Sequence, residues 1–557
     1  MTHINVSVCG IVPGGVISAK LAELIEKVPE HSELFFPAGE YFIEKCVGVK
    51  GKKHLTLCGE PDGSTRLLTH FSPSGDPKEN NNAFQFTDCE DILISDFTCS
   101  TDNPISCAGR VTAVNVEENT YDVKIADEFP VTGKEHLAAA NSCDEEGTPD
   151  YAHATYHHPL HSREKDGVTE YYGEKYTVIG DHEIRVQCER AFPFPGLTVG
   201  HRILYRYIIY GNTVFGFHGC RRVKLARIEI ERCASFGATV SPRSADFTFE
   251  AFNMRMPKDS AALYCANADG IHILGLEGYL KMKDCHFNGL GDDALNIHSK
   301  AGDIAAIDGD TFRIVCRNRK MEETPLGNDW ARPGDTICIY DRETFLRVGT
   351  MEILSWDGSF AKARLTDGTA SVGNILANDA YFASVHLDGC SVQNTRARGF
   401  LLQSRNMLVE NCFIRGMSLP GIIISPDVRV WYEVGPSDHV EIRNCTFEKC
   451  AYIRSGANRG AIVVKAAHDA GAPDYPAGVH SDIAVRGCTF RDMNSSGICI
   501  TATDGVVIKN NRFENCRNTV NASIDGSEFD IVTHNCTNVK VSGNVTDKSP
   551  EMLALDK

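Results

Sequence analysis

Apolar and polar residues alternate in short runs along most of the chain, and one eight-residue phrase keeps returning. It reads Leu280-Lys-Met-Lys-Asp-Cys-His-Phe287, then Val385-His-Leu-Asp-Gly-Cys-Ser-Val392, Met407-Leu-Val-Glu-Asn-Cys-Phe-Ile414 and Val440-Glu-Ile-Arg-Asn-Cys-Thr-Phe447. Later copies are Ile483–Phe490, Val506–Phe513 and the shorter Val539–Val545; a looser one is Val223–Ile230. Alternation with period two predicts strands that bury one face. Cys390 and Cys412 stand 22 residues apart, which predicts one solenoid coil per copy. The wider gap from Cys412 to Cys445 predicts a loop set into a coil. The expected fold is all-β, a right-handed parallel β-helix.

Near the amino terminus, Ile17–Val28 spaces Leu21, Leu24, Ile25 and Val28 at helical intervals, predicting an amphipathic cap over the open end of the solenoid. Two stretches break the repeat. One carries strand signals at Val111–Val116, Tyr121–Ile125, Tyr176–Ile179 and Ile184–Cys188; the other holds turn–strand units such as Pro333–Tyr340. Both read as small antiparallel β-barrel modules inserted between coils. The expected order is 1–103, cap helix and first coils; 104–200, inserted β module; 201–302, coils; 303–381, second inserted β-barrel module; 382–557, last coils.

Composition narrows the classes. The chain has 557 residues, 42% hydrophobic and 23% charged, with a formal charge of −18. No apolar run approaches the ~18–20 residues of a membrane span, and no Lys/Arg stripe is available to neutralise phosphates. Neither a membrane nor a nucleic-acid partner is expected. Met1–Asn5 lacks a basic stretch leading into an apolar one, so the expected location is cytoplasmic. The 22 cysteines show no zinc-like spacing, and their recurrence within the strand phrase predicts free thiols packed in the core.

Candidate chemistry gathers at Asn267-Ala-Asp269-Gly-Ile-His272 and Gly291-Asp292-Asp293-Ala-Leu-Asn296-Ile-His298. Asp269 and Asp292 are 23 residues apart, so they are expected to stack on successive coils with Asp293 beside them. Crowded carboxylates repel, so a protonated acid coexists with an ionised base. Hydrolysis of a glycosidic bond needs that pair. A calcium site of a pectate-lyase or epimerase type is the competing chemistry, although Ser260 stands where Arg255-Met-Pro-Lys would need a second Arg. A polygalacturonase-like hydrolase and a non-catalytic β-helical carbohydrate binder are also open on these residues.

Together with Asn394-Thr-Arg-Ala-Arg-Gly399 and Val430-Trp-Tyr-Glu433, these motifs resemble glycoside hydrolase family 110. The resemblance implies a β-helical, exo-acting α-1,3-galactosidase that acts with inversion through Asp269, Asp292 and Asp293. It also implies a glycan partner ending in α-linked galactose, linear or of blood-group B type. Asn267, His272, Asn296, His298, Arg396, Arg398, Trp431 and Glu433 are the candidate substrate-binding residues. No cofactor and no metal are expected, and a homodimer is left open. His153–His161 is expected to be a polar loop rather than a metal site, because its histidine spacing fits no usual ligand set.

Overall fold

The computed structural model describes residues 1–71, 81–102, 105–131, 136–137, 139–143, 162–165, 168–171, 174–187, 198–206, 210–317, 322–451, 460–466, 474–518 and 528–556, of which 136–175 are described by backbone alone. The His153–His161 stretch lies outside them. The main body is a parallel β-helix. A typical coil contributes three strands, such as Met407–Glu410, Phe413–Met417 and Ile422–Ile424, each pairing in parallel with its counterparts one coil away. Stacking builds one 22-stranded and one 13-stranded sheet.

The repeated phrase maps onto the first two strands and the corner between them. Leu387, Val409, Ile442, Val485 and Ile508 lie in register on successive coils, each fully buried. Phe447, Phe490 and Phe513 stack next to one another, with centroids 5.1 and 4.8 Å apart. The residue before each cysteine turns the chain: Asp284, Gly389, Asn411, Asn444 and Gly487 all have φ between 52° and 65°. Gly, Asn and Asp tolerate this left-handed conformation best. The cysteine that follows points inward, and the free thiols of Cys285, Cys390, Cys412, Cys445 and Cys488 stack from coil to coil, each donating to a backbone carbonyl. Asn511 and Asn544 continue the column, Asn511 Nδ2 donating to Asn544 Oδ1 at 2.9 Å.

The amino-terminal helix spans Ser18–Lys27 and buries Leu21 and Ile25 against the first coils. The first insertion is an antiparallel sheet that includes Ser106–Asn115, Thr120–Ile125, Glu174–Gly180, Glu183–Gln187 and Arg202–Arg206. Its last strand corrects the expected boundary at residue 200: Arg202–Arg206 pairs with 106–110 and 139–143, not with a coil. Its four consecutive buried residues, Ile203 to Arg206, read alike in a barrel and a coil, so pattern could not separate them. The second insertion is a closed six-stranded barrel, because Gly302–Asp308 pairs with both Thr311–Arg317 and Ile375–Asn378. Trp330 and Trp356 pack together in it, 5.2 Å apart. No helix among the described residues is long and apolar enough to cross a membrane.

Candidate active site

The cluster forms where two consecutive coils turn into the strands Ile271–Leu274 and Leu295–Lys300. Ile271, Ile273, Leu295 and Ile297 enter the core. Alternation therefore sends His272, Asn296 and His298 to the opposite face. Glycines make the close stacking possible. A Cβ on Gly270 would lie 2.6 Å from Ala294 O, and one on Gly291 would lie 2.3 Å from Asn267 O.

Ile271 pairs with Leu295, so the coil is 24 residues long here and Asp269 falls in register with Asp293, not with Asp292 as the motif spacing implies. The trio still converges: one oxygen from each of Asp269, Asp292 and Asp293 lies within 4.8 Å of the others. Their surroundings differ. Their side chains are 8%, 28% and 1% exposed, in the order Asp269, Asp292, Asp293. Asp269 accepts from the Asp293 backbone N–H at Oδ1, 3.2 Å, and lies 2.7 Å from His272 Nδ1 through Oδ2. Asp293 Oδ1 accepts from both the backbone N–H and Nε of Arg398, at 3.0 and 2.9 Å. Asp292 faces Arg396 at 3.2 Å.

Burial raises the Asp269 carboxyl above its ordinary range, with His272 opposing and Asp292 adding to the rise. Burial likewise pushes Asp293 well up against the pull of Arg398. Both shifts favour keeping a proton within the trio more than isolated carboxylates would. The cluster could in principle grip a hard cation, but Arg396 and Arg398 already supply the compensating charge.

The other candidates divide. His298 Nε2 lies 3.2 Å from His272 Nε2 and 3.7 Å from Glu433 Oε1. Gln403 donates to Glu433 Oε2 at 3.1 Å. Asn296 is buried, and its Oδ1 has no partner among the described residues, which leaves an acceptor for a ligand hydroxyl. Asn267 serves elsewhere: its amide donates to Ile105 O at 3.0 Å, and its carbonyl accepts from Arg206 at 2.9 Å, joining the coil to the first insertion.

Trp431 and Glu433 ride on a tight loop in which Asp427 and Glu433 exchange backbone hydrogen bonds of 2.8 and 2.9 Å. Between them Tyr432 is held at φ 56°, its hydroxyl donating to the buried Asp303 at 3.1 Å and its carbonyl accepting from Ala301 at 2.8 Å. Arg317 and Arg342 hold the same Asp303 carboxylate at 2.8 and 2.5 Å. The barrel thus anchors the loop, and Trp431 stands 53% exposed at its tip.

Three contributors escaped the sequence. Tyr210 stacks on Phe236 at 6.0 Å, and Phe236 meets the His272 ring edge-on at 5.4 Å, giving the cluster an aromatic wall. Tyr210 stands 60% exposed at the mouth of the site, and its hydroxyl is shifted up by the partial desolvation of the cleft and by the charges of Asp292 and Asp269. Arg206, fully buried beneath Gly291, is drawn down to about 10 by burial and then by Arg396. All three sit outside the repeated phrase, and nothing in their spacing announces a site.

Residues 434–548 match the family model described as "Right handed beta helix region". The chain is 24% identical to an α-1,3-galactosidase A of Bacteroides fragilis over 361 residues, covering 62% of this chain and 57% of that protein. It is 23% identical to an α-1,3-galactosidase A of Shewanella woodyi over 449 residues, covering 76% and 69%. The similarity at the family level is thus to the α-1,3-galactosidases, as the motifs implied, and the chain spans little more than half the length of the first of these relatives. Among solved structures it is similar to a family 28 exopolygalacturonase of Yersinia enterocolitica, with a TM-score of 0.45 and 11% identity over 97% of this chain and 78% of that one.

Proposed function

We propose that the chain is an exo-acting glycoside hydrolase that removes terminal α-1,3-linked galactose with inversion. The observation that carries this reading is the trio of carboxylates converging within 4.8 Å, one open to the cleft and two buried. Asp292, the open member, is the proton donor to the leaving oxygen. Asp269 takes the proton of the attacking water, which Asp293 helps to hold. The proton that burial favours on Asp293 passes to Asp292 and on to the leaving oxygen, so that donated and accepted protons balance over one turnover.

Spacing does not choose the stereochemistry. The oxygens lie closer than the ~6.5–9.5 Å typical of inverting pairs and nearer the ~5–5.5 Å of retaining ones. Occupancy favours inversion. Both oxygens of Asp269 and the Oδ1 of Asp293 already engage donors, so these carboxylates are better placed to hold a water than to attack carbon. Tyr210 and Phe236 offer the galactose ring an apolar shelf, while Asn296 and Glu433 offer acceptors for its hydroxyls. The free thiols of the described residues fit a reducing, cytoplasmic setting.

Proton NMR of the first product released from an α-1,3-galactobioside tests the reading. β-Galactose is expected before mutarotation. Initial α-galactose would overturn inversion, and hydrolysis of polygalacturonate in place of α-galactosides would overturn the substrate.

A further inference from the structure

A base must begin each turnover ionised, and burial works against that for Asp269. The hydrogen-bond inventory around His272 supplies the remedy. His298 Nδ1 faces the Ser299 carbonyl at 3.4 Å, and a carbonyl only accepts, so this nitrogen carries the proton. Of the two rings, His272 has a carboxylate at hydrogen-bond distance, Asp269 at 2.7 Å, whereas His298 Nε2 has only Glu433 Oε1 at 3.7 Å. The shared proton therefore belongs to His272, and the Nε2 of neutral His298 is an acceptor. It lies 3.2 Å from His272 Nε2, which must therefore donate. On its other side His272 presents Nδ1 to the Asp269 carboxylate at 2.7 Å, and there too it donates. A ring that donates from both nitrogens is an imidazolium.

We propose that His272 is a positioning residue, kept as an imidazolium by neutral His298, that holds Asp269 ionised and aimed as the base; this rests on the hydrolase reading above. The groups facing the pair agree in sign. Asp269 comes from the same coil and Asp292 and Asp293 from the next, while Glu433 enters from the 427–433 loop. The cations nearest the cluster, Arg396 and Arg398, are spent on Asp292 and Asp293. Arg206 lies beneath Gly291, and Tyr210 stands behind Phe236. The shifts concur: burial opposes charge on His272, but Asp269 and then Glu433 and Asp293 outweigh it and raise the group, whereas burial lowers His298. His272 and His298 thus act through Asp269 rather than on sugar hydroxyls.

The test is the pH profile of kcat/KM for wild type, His272→Asn, His298→Leu and His298→Gln on an α-1,3-galactobioside. Asn keeps a donor where Nδ1 stands but cannot carry charge. Its acidic limb is expected to move up by about one pH unit, with KM unchanged. His298→Leu removes the acceptor and is expected to move the limb the same way, and His298→Gln, which restores an acceptor, is expected to return it. A raised KM, or a uniformly lowered curve with its limbs in place, would overturn the proposal. NMR of carbon-labelled histidines reads the ion pair without turnover. His272 is expected to titrate above 6.5 in wild type and to fall in Asp269→Asn. A wild type that cleaves no α-galactoside refutes the hydrolase reading alone, whereas a neutral His272 at pH 6.5 refutes the ion pair whatever the activity.

Discussion

A proton donor and a water-activating base fail differently when removed, and that difference separates three aspartates only a few ångströms apart. Asp292→Ala is expected to lose ~10²–10⁴ of the rate on an α-1,3-galactobioside. On a dinitrophenyl α-galactoside, whose leaving group needs no proton, the same variant is expected to stay close to wild type. Asp269→Ala and Asp293→Ala are expected to fall on both substrates. Steady-state kinetics on the pair of substrates checks it, and equal impairment of Asp292→Ala on both would remove it as the donor. These residues are legible in the sequence because Asn267-Ala-Asp-Gly and Gly-Asp-Asp recur about one coil apart. Their pairing reads one residue off, since the coil here is 24 long and a strand ladder, not a motif count, fixes the register. Tyr210 and Phe236 are illegible for a different reason. They reach the site from the return of the first insertion and from a corner, where no periodicity marks them.

At the scale of elements, corners join the coils, and one of them titrates. His480 opens the strand His480–Arg486 and is completely buried. Its Nδ1 accepts from the Ser437 N–H, and its Nε2 donates to the Lys465 carbonyl, both at 3.1 Å, so the ring is neutral and pinned in one tautomer. Burial draws it down to about 4 against the help of the Lys465 carbonyl. Below pH 6.5 the unfolded chain takes up a proton that the folded chain refuses. Stability present above 6.5 is therefore lost as the pH falls toward 4, by roughly 3 kcal/mol, and levels off below. His480→Gln cannot charge, and it strands the Ser437 N–H. It is expected to be less stable at pH 8 by about 1–3 kcal/mol and to lack this acid slope. Denaturant midpoints measured across the range decide, and an unchanged slope would place the acid sensitivity elsewhere. The sequence announces strands better than corners. The Asp/Asn/Gly–Cys pair reads as packing alone, whereas its first member is the left-handed turn and only its second packs. The end of the first insertion is misplaced by pattern because Arg202–Arg206 buries residues just as a coil strand does.

Over the whole molecule the repeat makes the architecture readable, because each coil buries its apolar face only against its neighbours and must echo their pattern. The same logic governs how the thiols respond to a probe. Among the described cysteines every one is free; Cys9 alone is exposed, Cys46, Cys58 and Cys536 are half-buried, and the rest are buried. Burial raises Cys46 to about 11, and burial followed by the Glu33 charge raises Cys58 to about 12, so at pH 8 both are almost wholly in the unreactive thiol form. The column from Cys285 to Cys488 runs through consecutive coils that share one core. Reaching any one of its members means opening the stack on both sides. In folded protein without reductant, Cys9→Ser is expected to remove one equivalent from the fast phase of an aromatic disulfide reagent. The column thiols are expected to react only as fast as the solenoid opens, and faster in dilute denaturant. Full denaturation is expected to expose all 22 thiols, Cys143 and Cys188 included. A total short by several pairs would show disulfides and an oxidising compartment. Fast modification of Cys390, Cys412 or Cys445 in folded protein, located by mass spectrometry, would show that the coils open singly and not as one cooperative column.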